Sequence, residues 1–356
     1  EQALLGFGRA YREAGDLTKS LDALEKLLTL KPDWSSANYQ MAETQASMDQ
    51  INVAAEYYSK AIEGGGNPID IKNRMAEVYL SHGRVEDALS VYQELRSSGS
   101  ADIRAYGELA TLLQGREQFT DAESVLQEAL QKFPEHPEAH FKLGMHLALV
   151  KNYTLALKQL EKARELSPTD PRIQKAISLT AHRLGNLDRA IAEAEQLLSL
   201  VPDSAGDRFY LATLVEELGD DSKARELYEA LLAQEPKHVG GLNNLANLLI
   251  KAKEPERAVE LARRATLEAP DNAAVLDTAG WALFHRGDHQ RALRRLESAV
   301  EKGQGRPNHR YHLAVVYHQL GQNAKAIEQL ELALERGAEI SELTNAKELI
   351  AKLRRG

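Results

Sequence analysis

Two histidines four residues apart are the residues of this chain best suited to metal chemistry. His285 and His289 stand in the stretch FHRGDHQ, with Asp288 beside them. Histidines at this spacing bind one metal ion only when both lie on one face of an unbroken helix. Gly287 lies between them and predicts a turn, and the glutamate of the H-E-x-x-H zinc motif is absent. We therefore expect the ends of two helices here and no metal site.

The other chemical signals are equally sparse. The chain has no cysteine, which excludes disulfides, thiolate metal sites and cysteine nucleophiles. It also lacks a phosphate-binding glycine loop, a nucleophile elbow and an acidic calcium loop. His309, His312 and His318 are close in sequence, and we interpret them as separate histidines that face solvent. The sequence predicts a protein that is not an enzyme and has no cofactor.

The charge and the hydropathy restrict the classes of partner. The net charge of -9 disfavours a general binder of nucleic acid. The charge is uneven, because residues 1–238 sum to -12 and residues 239–356 sum to +3. No run of 18 apolar residues is present, so the sequence predicts no transmembrane helix.

A period of 34 residues runs through the chain. Steps of 34 from Gly280 meet only Gly, Ala or Ser, and steps from Ala292 meet only Ala or Ser. Apolar residues have helical spacing on both sides of a central turn, so each period predicts two short helices. Prolines close several periods, at Pro32, Pro134, Pro168, Pro202, Pro236 and Pro270.

Ten such repeats fill residues 1–340, and a final segment follows them. Residues 341–356 place Ala346 and Ile350 on one apolar face, which predicts a helix that caps the last repeat. No comparable cap stands at the start, and we expect further repeats before Glu1. The predicted repeats are 1–34, 35–68, 69–102, 103–136, 137–170, 171–204, 205–238, 239–272, 273–306 and 307–340, in one continuous array.

These features resemble the tetratricopeptide repeat over essentially the whole chain. The resemblance is carried by Leu-Gly or Leu-Ala pairs such as Leu143-Gly144, by the small residue twelve places later, by a bulky residue four further on such as Tyr58, and by the closing proline. It implies an all-α fold, a right-handed superhelix or α-solenoid of helix-turn-helix repeats with a C-terminal capping helix. It also implies a non-catalytic scaffold that binds protein or peptide segments in a concave groove.

By this resemblance, the groove is lined by outward positions of each first helix. Trp281 and Phe284 lie three apart on one helix, with Asn243 and Asn247 one repeat earlier, which is the composition of an interaction hot spot. The predicted groove residues are Tyr39, Asn73, Phe141, Met145, Phe209, Tyr210, Asn243, Asn247, Asp277, Trp281, Phe284, Tyr311 and His312.

Six arginines on the second helices of adjacent repeats predict a basic patch on the convex face. A solvated surface is one interpretation of this patch, and contact with anionic lipid or an acidic polymer is the other. Nucleic acid is not expected, because aromatic residues for base stacking do not accompany the arginines. The patch consists of Arg257, Arg263, Arg264, Arg291, Arg294 and Arg295.

Residues 241–334 are similar to the C-terminal repeats of bacterial tetratricopeptide proteins of exosortase and exopolysaccharide systems. This similarity implies a scaffold for secretion or polymer export in the cell envelope, in the periplasm or at the membrane. Two alternatives stay open. In the first alternative the chain is the substrate-recruiting arm of a larger transferase, and in the second it is a cytosolic assembly factor.

Overall fold

The computed structural model of the protein describes residues 1–335 and 341–354, without the side chains of residues 341–344. This part of the chain consists of helices joined by short turns and contains no strand. Up to α20 the helices follow one another in helix-turn-helix pairs, so odd-numbered helices are first helices and even-numbered helices are second helices. The all-helical prediction is confirmed.

The helices form two compact units, Glu1–Leu184 and Gly185–Gly356. The boundary falls within the predicted repeat 171–204, whose two helices belong to different units. The N-terminal unit contains α1 (Gln2–Glu13), α2 (Leu17–Leu30), α3 (Ser35–Ser47), α4 (Ile51–Glu63), α5 (Pro68–Ser81), α6 (Val85–Ser97), α7 (Ile103–Gly115), α8 (Phe119–Lys132), α9 (Pro137–Leu149), α10 (Tyr153–Leu166) and α11 (Pro171–Arg183). The C-terminal unit contains α12 (Leu187–Leu200), α13 (Ala205–Leu218), α14 (Asp221–Gln234), α15 (Val239–Lys251), α16 (Pro255–Glu268), α17 (Ala273–His285), α18 (His289–Lys302), α19 (Pro307–Gln319), α20 (Asn323–Glu335) and α21 (Ser341–Leu353).

The small residues of the 34-residue period lie where paired helices are closest. Gly280 of α17 is packed so tightly that a Cβ atom there would stand 2.5 Å from Cγ of Leu296 on α18. Gly144 has the same relation to Leu160, at 2.8 Å. The period of alanines on the second helices is fully buried at Ala54, Ala88, Ala122, Ala156, Ala190, Ala224, Ala258, Ala292 and Ala326.

The turn inside each helix pair has left-handed backbone at one fixed position. Six of these residues are glycines, among them Gly287 with φ of 92°. The same conformation recurs at four residues with side chains, at intervals that are multiples of 34. Left-handed backbone costs a residue with a side chain roughly 1–2 kcal/mol, so these four turns are strained. The four are Asp49, Glu117, Lys151 and Lys253.

Polar side chains start many of the second helices directly after these turns. Asp16, Asn152, Asn186, Asp220 and Asp288 each accept a hydrogen bond from the backbone N–H three residues later. Such a cap satisfies a backbone donor that has no partner inside the helix. Turn and cap together fix where each second helix begins.

The last described helix packs on the final helix pair. Ala346 and Ile350 of α21 are buried in one hydrophobic cluster with Ala314, Leu330 and other residues of α19 and α20. No helix of the described residues is long and apolar enough to cross a membrane.

We predict that Lys151→Gly stabilises the protein by about 1 kcal/mol, because glycine adopts left-handed backbone without the steric penalty. The matched control is Lys158→Gly, an exposed position inside α10. There the same change should lower the free energy of unfolding by about 1 kcal/mol through lost helix propensity. Urea unfolding followed by circular dichroism measures both, and equal destabilisation by the two variants would contradict the prediction.

Candidate functional site

The predicted groove residues of the N-terminal unit differ in how far they reach the surface. Tyr39 is partly buried and packs edge-on against Tyr58, with ring centroids 5.7 Å apart. Phe141 is partly buried beneath the guanidinium of Arg172, 5.2 Å from the ring centroid, while Met145 is 42% exposed. Only part of this predicted surface is therefore open to a partner.

Asn73 corrects the prediction of a groove residue on α5. Its side chain is only 1% exposed, and its Nδ2 donates a hydrogen bond to Oδ2 of Asp102 at 3.2 Å. Asp102 also accepts a hydrogen bond from the N–H of Ala105 and so caps α7. Asn73 therefore ties α5 to the start of α7, which explains why an asparagine at an outward position of the repeat is buried.

Ion pairs cross the first helices of the N-terminal unit, and the sequence analysis did not identify them. Arg74 of α5 donates two hydrogen bonds, both of 2.8 Å, to the carboxylate of Glu43 on α3. Arg74 also contacts Glu77, which in turn pairs with Arg104 of α7. These charges lie about one repeat apart, which is the only signal of their pairing in the sequence.

Hydrogen bonds and burial act in opposite directions on Glu43. Burial by itself would raise the pKa of this carboxyl, but hydrogen bonds from Arg74 and Tyr58 lower it below its ordinary value. Glu43 is therefore ionised and fully engaged with its neighbours at neutral pH. Glu43 and Arg74 on these first helices therefore already have partners within the protein.

One predicted residue of α13, Phe209, packs beside the buried Tyr228. Phe209 packs against Tyr228 and His238, with ring centroids 6.0 and 4.9 Å apart. The hydroxyl of Tyr228 donates to Glu216 and accepts from Asn244, at 2.8 and 2.9 Å. The other predicted residues here, Tyr210, Asn243 and Asn247, are partly buried.

Aromatic rings gather around Trp281 on α17. The indole stacks on Phe284 of the same helix, with centroids 5.0 Å apart and planes at 8°. The indole also stacks on His312 of α19, with ring centroids 4.2 Å apart and planes at 15°. The ring of His285 meets the indole edge-on at 4.7 Å. We call Trp281, Phe284, His285 and His312 the aromatic cluster, and Trp281 and Phe284 remain partly exposed within it.

A buried carboxylate holds one ring of this cluster in place. Nδ1 of His312 and Oδ2 of Asp277 are 2.9 Å apart and share a hydrogen bond. Both side chains are buried, which corrects the prediction that Asp277 and His312 line the open groove. The interpretation of His312 as facing solvent is also wrong. His309 is also buried, at 2% exposure, which corrects the same interpretation for that residue. Tyr311, between them, is partly buried.

The two histidines of the opening motif lie on separate helices, as predicted. α17 ends at His285 and α18 begins at His289, with Gly287 in the turn. Within the described residues, no group of three or more His, Asp or Glu side chains is placed to hold a metal ion.

The predicted basic patch is divided between two cavities. Arg263, Arg291, Arg294 and Arg295 line a cavity of about 540 Å³ between α16, α17 and α18. The other two arginines, Arg257 and Arg264, line a neighbouring cavity of about 430 Å³ together with residues of α14 and α15. The six arginines therefore line two neighbouring cavities that share Glu260.

Comparison with known proteins identifies the repeat. Family models described as tetratricopeptide repeat match most of the chain, at residues 2–33, 108–171, 176–239, 217–279 and 283–353. No curated protein matches the sequence.

Two solved structures are similar to the chain in fold. One is the crystal structure of the APC/C hetero-tetramer Cut9-Hcn1, with 15% identity, 97% of this chain and 74% of that chain covered, and a TM-score of 0.53. The other is the C-terminal part of a TPR repeat-containing protein from Cytophaga hutchinsonii, with 18% identity, 67% and 98% coverage, and a TM-score of 0.55. At these identities the similarity shows a shared fold alone.

We predict that His309 makes the C-terminal unit less stable in acid. Burial lowers the pKa of His309 below its ordinary value, and the nearby carboxylate of Asp277 opposes this only in part. The folded state therefore favours the neutral ring. The stability of the folded unit is fully present above about pH 6.5, and part of it is lost as the pH falls below that value. The loss of thermal stability between pH 7 and pH 5, roughly the range of histidine titration, should be smaller in His309→Gln. An identical loss in both proteins would contradict this role.

Proposed function

Because the chain belongs to the tetratricopeptide repeat family, we propose that it is a protein-interaction scaffold that binds a segment of a partner at the aromatic cluster. The scaffold has no catalytic role of its own in this proposal. The observation that carries the proposal is the position of Trp281, partly exposed and stacked between Phe284 and His312.

The stacking supports binding for a physical reason. Indole and phenyl rings bury large apolar areas, and a partner gains most from a ring that is already fixed in orientation. The hydrogen bond between Asp277 and His312 holds the imidazole against the indole, so little conformational entropy is left to lose on binding. Tryptophan in such a setting is the residue most typical of an interaction hot spot.

Polar groups beside the aromatic rings support a peptide as the ligand. Asn247 of α15, one repeat before Trp281, is partly buried and makes no side-chain hydrogen bond within the described part of the chain. Its amide has one donor group and one acceptor, which together match the backbone N–H and C=O of an extended segment. By contrast, Glu43 and Arg74 in the N-terminal unit already satisfy each other.

The cellular setting is a separate part of the proposal. The sequence similarity of residues 241–334 supports a bacterial cell-envelope scaffold, in exopolysaccharide export or secretion. The recruiting arm of a larger transferase and a cytosolic assembly factor are the alternatives. The full-length gene distinguishes the three, because a catalytic domain, a leader or an anchor would be encoded beside these repeats.

We predict that Trp281→Ala weakens partner binding by about 2 kcal/mol, or about 30-fold, without unfolding the protein. Affinity capture from the source cells, membrane fraction included, followed by quantitative mass spectrometry identifies the partners. Titration with a captured partner then gives the affinity of each variant.

Trp34→Ala is the matched control, because Trp34 is the N-cap residue at the start of α3 in the N-terminal unit and is not part of the aromatic cluster. It should keep the wild-type affinity. Circular dichroism checks that both variants fold. A folded Trp281→Ala protein with unchanged affinity would place the binding site elsewhere.

A further inference from the structure

The cavity between α16, α17 and α18 has a cationic rim and an apolar floor. Its volume is about 540 Å³, which is larger than a single inorganic anion needs. Val259, Leu267, Ala279 and Leu283 contribute apolar surface. Leu267 is 68% exposed, an unusual state for a leucine at the wall of a cavity. The site therefore has an apolar surface to offer as well as charge.

The arginines of α18 form the rim by their spacing. Arg291, Arg294 and Arg295 stand at positions i, i+3 and i+4, so they project from the same face of the helix. Arg286 at the end of α17 adds a fourth positive charge. Like charges this close repel one another, so the arrangement is unfavourable until an anion occupies it.

Two of these guanidinium groups have no partner in the described part of the chain. Arg294 and Arg295 are exposed, and neither side chain makes a hydrogen bond or an ion pair there. Arg291 and Arg286 share Asp288 at long distances of 3.6 and 3.5 Å. The one carboxylate that lines the cavity, Glu260, is already paired with Arg263 at 2.8 Å. The rim keeps an uncompensated positive charge.

The neighbouring cavity shows what compensated arginines look like in the same unit. Arg257 pairs with Glu254 and Glu229, at 2.9 and 3.1 Å. Nη2 of Arg264 donates to the carbonyl oxygen of Pro236 at 2.7 Å. This contrast separates Arg294 and Arg295 from the two arginines of the neighbouring cavity, Arg257 and Arg264.

We propose that this cavity binds an acidic segment of a partner protein, with one apolar side chain on Leu267 and Leu283 and flanking carboxylates at Arg294 and Arg295. Charge complementarity selects the acidic residues, and the apolar floor selects the side chain between them. A phosphate group or a polyanion backbone would use the rim and leave the floor uncovered. The site is separate from the aromatic cluster and does not depend on it.

Fluorescence anisotropy with labelled synthetic peptides tests the proposal on the full chain. The probe is Glu-Asp-Leu-Phe-Asp-Glu, compared with Gln-Asn-Leu-Phe-Asn-Gln, which removes the charge, and with Glu-Asp-Ala-Ala-Asp-Glu, which removes the apolar side chains. We expect the probe to bind at least about tenfold more tightly than either control, because the first control lacks all four side-chain carboxylates and the second lacks both large apolar side chains. Binding should weaken with added salt.

Two sets of variants locate the binding. Arg294→Glu/Arg295→Glu should weaken binding of the probe by about tenfold or more, and Leu267→Ser by a smaller factor that is absent for the dialanine peptide. Arg257→Glu/Arg264→Glu carries the same change of charge in the neighbouring cavity and should alter binding by less than about threefold. Circular dichroism checks the folding of each variant.

Three results would overturn the proposal. The dialanine peptide could bind as well as the probe, which would mean a general anion surface. Both double variants could lose binding equally, which would mean a long-range charge effect. Vesicles of phosphatidylcholine and phosphatidylserine could bind through Arg294 and Arg295 while the probe does not, which would identify a lipid surface.

Discussion

Close packing between the two helices of a pair is the constraint on which the rest of this structure depends. Ala292 of α18 is fully buried, and Gly280 of α17 leaves the space that Leu296 fills. A larger side chain at either position would force the helices apart, because protein interiors have no spare volume. Since the requirement recurs every 34 residues, the same close packing recurs in the helix pairs inside each unit. The outward faces are then free to vary.

That freedom produces different surfaces on equivalent first helices. In the N-terminal unit, Glu43 and Arg74 satisfy each other across adjacent first helices. In the C-terminal unit, Trp281 and His312 occupy the corresponding region with stacked rings. Charges that already pair with each other gain little from a partner, whereas a partly exposed aromatic ring such as Trp281 gains from further desolvation. The same backbone therefore carries paired charges in one unit and stacked aromatic rings in the other.

One short helix contributes to both candidate sites of the C-terminal unit. α17 carries Trp281 in the aromatic cluster, and it carries Ala279 and Leu283 in the arginine-lined cavity. The two surfaces suit different ligands, since one is aromatic and the other is strongly cationic with an apolar floor. In the two binding sites proposed above, α17 would therefore contribute to the binding of two dissimilar segments.

The amino-acid sequence by itself determined the repeat, the helix pairs and the position of Trp281 beside Phe284. These features depend on contacts within one period of 34 residues, and local spacing records such contacts. The sequence also marked the glycine turns, and the period of 34 places Lys151 and Lys253 at the same turn position, but lysine as a residue type does not indicate left-handed backbone. Those residues take that conformation because the helices on both sides are already fixed by packing.

Only the tertiary structure decided which outward residues are buried and which charges are paired. Asn73 lies at an outward position of its repeat, yet it is buried and donates a hydrogen bond to Asp102, which caps the first helix of the next repeat. His312 likewise turns toward Asp277 and Trp281 of the preceding repeat, and the six arginines separate into two cavities. Each of these outcomes depends on distances between repeats and on side-chain rotamers. A one-dimensional pattern does not contain that information, because residues about 30 positions apart meet only after the helices have stacked.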